Sequence, residues 1–213
     1  MSRPSVLVVV TGTGTEVGKT WVAAGLARGL RDLGVAVAAR KPAQSFAVDD
    51  HHLRDAEVLA DATGEDPVAV CPAHRSYAVA MAPPMAADAL GLDEFTIADL
   101  AMETRWPSGV DLGLVEGAGG PRSPLATDGD TVDLARALAA DLVVLVADAE
   151  LGTINAVRLA VPPLAEVAPV IVFLNRYDDG DGLHRRNRSW LRRDHEVEVA
   201  VPGLVERVAR QRP

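Results

Sequence analysis

A chain of 213 residues with 48% hydrophobic but only 4% aromatic side chains carries enough Ala, Val and Leu for one core of helices packed on parallel strands, and is too apolar to be disordered. The formal net charge of −9 disfavours a nucleic-acid or membrane surface, so any anion site has to be a local basic pocket. Cys71 is the single cysteine, which excludes an intrachain disulfide and a cysteine metal cluster; with five residues ahead of the first strand and no apolar run near the roughly 20 needed to span a bilayer, the expectation is a cytoplasmic protein.

Residues 6–10 are a valine-rich strand that stops at a glycine-rich turn, and 19–33 place apolar residues at helical spacing up to Gly34. A second buried strand over 35–40 delivers Lys41 at its carboxyl end, which completes a βαβ unit. The pattern then predicts a helix at 55–62, loop across 67–84, a helix at 97–103, a strand at 112–116, a helix at 132–140 and a strand at 142–147. A helix over 153–167, kinked or broken at Pro162 and Pro163, is followed by a strand at 170–174 ending on Asn175, a strand around 197–201 and a helix at 204–210. The sum is a single α/β domain spanning residues 1–213, with a mostly parallel sheet covered on both faces and ligands at the carboxyl ends of its strands.

The stretch TGTGTEVGKT, residues 11–20, ends in Gly18, Lys19 and Thr20 as the phosphate-loop pattern G-x-x-x-x-G-K-[ST] requires, but Thr13 stands where the first glycine belongs and Gly12 comes one residue early. Glycine N–H groups and a helix N-terminus can cradle phosphate, the lysine adds mobile charge, and the threonine hydroxyl can reach Mg²⁺. Lys41, past the second strand, is expected in the same crevice, with Ser45 as a further donor. Glu116 ends a buried strand, and Gly117, Gly119 and Gly120 allow close backbone approach; its carboxylate can hold Mg²⁺ with Asp55 as partner, or with Asp49 or Asp50 in its place. The DDHH run at 49–52 reads as a solvated loop, and the arginine-rich 184–195 as an exposed helix face.

Five blocks in this order, TGTGTEVGKT, KPAQS at 41–45, VEGAGG at 115–120, PL at 124–125 and LGTIN at 151–155, closely resemble the dethiobiotin synthases, ATP-dependent cyclo-ligases of biotin synthesis within a wider P-loop group. The resemblance implies a P-loop NTPase-like three-layer sandwich. It also implies that Gly14, Thr15, Glu16, Val17, Gly18, Lys19 and Thr20 surround the triphosphate of ATP, that Gly117, Ala118 and Gly119 adjoin it, and that Thr20, Asp55 and Glu116 hold Mg²⁺. In the reaction so implied, 7,8-diaminononanoate takes up CO₂ as a carbamate, the carbamate attacks the γ-phosphate, and the second amine closes the ring. Lys19, Lys41, Thr15, Ser45 and Mg²⁺ would stabilise the charge, with no side-chain nucleophile. Gly152, Thr153, Ile154 and Asn155 would offer N–H groups to the substrate carboxylate from a neighbouring subunit, implying a homodimer. Asn175 and the VPGL turn at 201–204, with Pro202 and Gly203, would hold the base. One family element, a proline-x-small-proline stretch, reads AMAP at residues 80–83 and lacks its first proline.

Two other readings share the loop. Partition-type ATPases carry an extra lysine where Gly14 stands, and amidating ligases of the cobyrinic acid kind need a glutaminase for which 213 residues leave no room. For the favoured reading, Lys19→Ala and Lys41→Ala are each expected to cut turnover with the fold intact.

Overall fold

The computed structural model describes residues 3–49 and 52–211. Strand β1 (Val6–Gly12) is buried at every position, as its unbroken apolar run requires when both faces are covered. It is followed by α1 (Lys19–Asp32), β2 (Val37–Arg40), the two-residue β3 (Gln44–Ser45) and α2 (Asp55–Thr63). Next come α3 (Pro67–Val70), a 3₁₀ turn (Ala73–Arg75), β4 (Ser76–Tyr77), α4 (Pro83–Ala89) and α5 (Ile97–Glu103). The chain continues through β5 (Leu112–Glu116), the short antiparallel pair β6 (Pro124–Ala126) and β7 (Gly129–Asp130), α6 (Thr131–Ala137), β8 (Leu142–Asp148) and α7 (Thr153–Ala165). It ends with β9 (Val170–Asn175), α8 (Gly182–Leu191), β10 (Glu196–Glu198) and α9 (Val201–Ala209).

Six strands form one sheet in the order β10-β9-β8-β1-β5-β2, and every neighbouring pair is parallel. Strand alternation divides the core in two. Val6, Val8 and Val10 pack with Val22, Leu26 and Leu30 of α1, Leu59 of α2 and Leu204 of α9. Leu7 and Val9 face the other way, towards Leu100 of α5, Leu134 of α6 and Leu164 of α7. The expected three-layer α/β architecture is therefore present.

Three local expectations need correction. Residues 67–84 are not a plain loop: Asp66 accepts from the Val68 N–H and Pro67 opens α3, then a 3₁₀ turn, β4 and α4 follow. These pieces are too short to leave a periodic signature. Pro162 and Pro163 stay inside an unbroken α7. The carbonyls they leave unpaired belong to Arg158 and Leu159, which are exposed and open to water. Finally, the last strand stops at Glu198, so Val201, Pro202 and Gly203 form the first turn of α9, with Pro202 accepted there because a first-turn N–H has no helical partner.

Candidate active site

The same alternation builds the site. Val37 and Ala39 of β2, Leu112 and Leu114 of β5, and Ile171 and Phe173 of β9 all pack on the α1 side of the sheet. Two residues further along each strand, Lys41, Glu116 and Asn175 therefore emerge on that side, beside the start of α1 with Lys19 and Thr20.

Thr20 Oγ1 lies 2.8 Å from Asp55 Oδ1 and 2.9 Å from Glu116 Oε1. Lys41 Nζ lies 2.6 Å from Glu116 Oε1, 2.7 Å from Asp55 Oδ2 and 3.0 Å from the Gly117 carbonyl, so its three hydrogens are all engaged. Lys19 Nζ donates to the Gly14 carbonyl at 2.9 Å. Burial pulls the Lys41 ammonium down, but the Asp55 and Glu116 carboxylates outweigh it and hold it above its usual range. Lys41 in turn draws Asp55 from 3.8 to about 2, whereas burial pushes Glu116 up against the pull of Lys41. Burial and the neighbouring Lys41 charge lower Lys19.

Glu116 Oε2 is buried without a hydrogen-bond partner. An unmatched carboxylate oxygen beside Thr20 and Asp55 suits a hard cation, and the sparse set suits Mg²⁺, which takes few carboxylates and completes its shell with phosphate and water. Among the described residues no group of three or more His, Cys, Asp or Glu could cage a metal by itself. Of the rival ligands, Asp49 is exposed and Asp50 lies outside the described residues, as does His51 of the DDHH run; Asp55 is the acid that meets Thr20.

The loop explains its own spacing. A Cβ on Gly12 would lie 2.6 Å from Val17 Cγ2 and 3.0 Å from Lys19 Cγ, whereas one on Gly14 would meet nothing within 4 Å. The early glycine lets the loop fold down onto the end of β1, and the later one leaves room for a ligand. Gly12→Ala is accordingly expected to destabilise by about 1–3 kcal/mol through overpacking, with Gly14→Ala leaving the unfolding midpoint unchanged. Thermal melts of the two variants decide this, and equal midpoints would remove the packing reason for Gly12.

Gly18 has φ +89°, and a Cβ there would sit 2.1 Å from Asn175 Nδ2, which donates to the Val17 carbonyl at 3.0 Å. Arg176 clasps the loop from β9. It donates to the Glu16 carbonyl at 2.9 Å and pairs with Asp148 at 2.7 Å, holding Glu16 at φ +59°, where a non-glycine residue is uncommon. The sequence reading missed Arg176; its place immediately after a strand-end Asn was the available signal.

One cleft of about 560 Å³ is lined by Thr15, Glu16, Gly18, Lys19, Thr20, Lys41, Ser45, Asp55, Ala118 and Gly119, joined by Gln44 and Arg176. The Ser45 hydroxyl donates to the Met81 carbonyl within the AMAP stretch. A second cleft of about 480 Å³ shares Gly18 and Arg176 and reaches Asn175; Ala200 and Val201 line it, in place of the expected Pro202 and Gly203. Gly152, Ile154 and Asn155 line a separate surface cleft with Arg158 and Leu159, and Thr153 is buried, so within one chain this segment does not reach the lysines' cleft.

A protein-family model described as an AAA domain matches residues 7–201. The ATP-dependent dethiobiotin synthetase BioD of Rhodococcus jostii (strain RHA1) is 40% identical over 184 residues, 84% of this chain and 78% of that protein. The chain belongs to the ATP-dependent dethiobiotin synthetase family. The same name is carried by a Mycobacterium tuberculosis (strain CDC 1551 / Oshkosh) protein, 38% identical over 92% of this chain and 87% of its own length. A Parafrankia sp. (strain EAN1pec) member is 43% identical over 75% of this chain, which spans 66% of that relative. Among solved structures, the septum site-determining protein MinD from Pyrococcus horikoshii OT3, complexed with Mg-ADP, aligns with a TM-score of 0.51 at 18% identity, covering 93% of this chain and 79% of that one. The pNOB8 ParA bound to nonspecific DNA gives 0.50 at 12%, covering 91% and 78%. At such identities the two share the family's fold and carry no argument for a partition role.

Proposed function

We propose that the chain is an ATP-dependent carbon–nitrogen ligase that converts 7,8-diaminononanoate and CO₂ to dethiobiotin, releasing ADP and phosphate. One arrangement supports this reading: two lysines, two carboxylates and a threonine hydroxyl converge beside a phosphate loop, in a chain of this family. Loop N–H groups from Gly14 to Thr20 would cradle the phosphates, with Lys19 neutralising the transferring group. Lys41 would place positive charge where the carbamate oxygen meets the phosphoryl group, and Thr15, with Ser45 once it exchanges its bond to the Met81 carbonyl, would orient the reacting groups as hydrogen-bond donors. Both nucleophiles come from the substrate. Thr20, Asp55 and Glu116 would hold Mg²⁺, which when bound supplies positive charge to phosphate oxygens.

The base would occupy the cleft at Asn175. The segment from Gly152 to Asn155 would serve the site of a second copy in a homodimer, a reading supported by the exposure of Leu151 and Leu159 at 85% and 71% on that surface. Among the described residues no helix is long and apolar enough to cross a membrane; a cytoplasmic location and the absence of a nucleic-acid partner belong to the same proposal. Given diaminononanoate, bicarbonate and Mg-ATP, the purified protein is expected to form dethiobiotin and ADP in equal amounts. ADP release that does not depend on the diamine would overturn the reading.

A further inference from the structure

We propose that Trp21 is the stacking face for the base of the bound nucleotide, an inference that rests on the nucleotide reading of the phosphate loop. Trp21 follows Thr20 on α1 and is 61% exposed. It lines the second cleft with Phe173, Asn175, Tyr177, Val199 and Val201, next to the residues shared with the phosphate cleft. One turn along α1, a Cβ on Gly25 would lie 3.2 Å from Val201 Cγ2, so α1 and α9 touch there and Trp21 stands at the rim where α9 begins.

Trp106 is buried beneath Arg40, and Trp190 lies under the guanidinium of Arg193, but among the described residues no ring or guanidinium stacks on Trp21. Of the polar groups nearby, the Asn175 amide already gives one N–H to the Val17 carbonyl, and Nη1 and Nη2 of Arg176 are held by Asp148 and the Glu16 carbonyl. The cleft thus offers a flat apolar face beside the remaining amide groups of Asn175, and a ring whose phosphates lie on Gly18 can reach it. Stacking tolerates any base because each has a π-face.

Calorimetric titrations with Mg-ADP, Mg-GDP, Mg-pyrophosphate and Mg-tripolyphosphate test the proposal. Trp21→Ala is expected to bind both nucleotides about 10-fold more weakly, to bind tripolyphosphate like the wild type, and to keep the wild-type melting temperature because the side chain is exposed. Trp21→Phe should restore most of the affinity, and ADP but not tripolyphosphate should quench wild-type tryptophan fluorescence. Unchanged ADP affinity in Trp21→Ala overturns the role of Trp21 alone. Wild-type protein that binds ADP no more tightly than pyrophosphate, which matches its two phosphates, overturns a base site but leaves the phosphate loop standing, whereas failure to bind ADP, pyrophosphate and tripolyphosphate overturns both.

Discussion

Lys19→Ala is expected to lower kcat by about 10²–10³-fold and to leave the unfolding midpoint at or slightly above that of the wild type. The ammonium of Lys19 is buried with a single carbonyl partner, and burial lowers its pKa, so the fold disfavours the charge that catalysis needs. Removing it frees no opposite charge. Steady-state rates and thermal melts on the same preparation test both halves, and a variant with wild-type kcat would take Lys19 out of the phosphate site.

Lys41→Ala should lose as much activity and, unlike Lys19→Ala, stability as well. Its ammonium is 2% exposed and pairs with Glu116, whose side chain is 1% exposed, and with Asp55. Without it Glu116 is a buried carboxylate that has lost its paired cation, a situation that costs about 3–5 kcal/mol in comparable pairs. The expectation from sequence, that either lysine could be removed with the fold intact, thus changes for Lys41. The double variant Lys41→Ala with Glu116→Gln should regain much of the stability and none of the activity. If the single variant melts with the wild type in Mg²⁺-free buffer, the ion pair is not what holds this corner of the fold.

The alternation of strands and helices was legible because its strands are long, apolar runs closed by glycine or a charged residue, as at Glu116. So was the lysine-and-threonine end of the phosphate loop. The short elements between Pro67 and Ala89 were not, since none exceeds seven residues, and first-turn prolines rather than periodicity mark the starts of α3 and α4. Trp21 was read only as part of a helix, because its significance lies in standing opposite Tyr177 and Val199. Arg176 escaped for the same reason: its hold on Glu16 joins residues 160 apart in the chain. Strand parity, by contrast, was available in the sequence, where counting by twos from Leu112 and from Val37 brings Glu116 and Lys41 to one side of the sheet.

Because all three hydrogens of Lys41 are already engaged, a ligand oxygen can bind it only by exchange, displacing Asp55, Glu116 or the Gly117 carbonyl. A ground-state oxygen no more negative than those it replaces gains little from the swap. An oxygen that becomes more negative as the reaction proceeds gains more, so Lys41 would contribute little to substrate affinity and most of its effect to the rate.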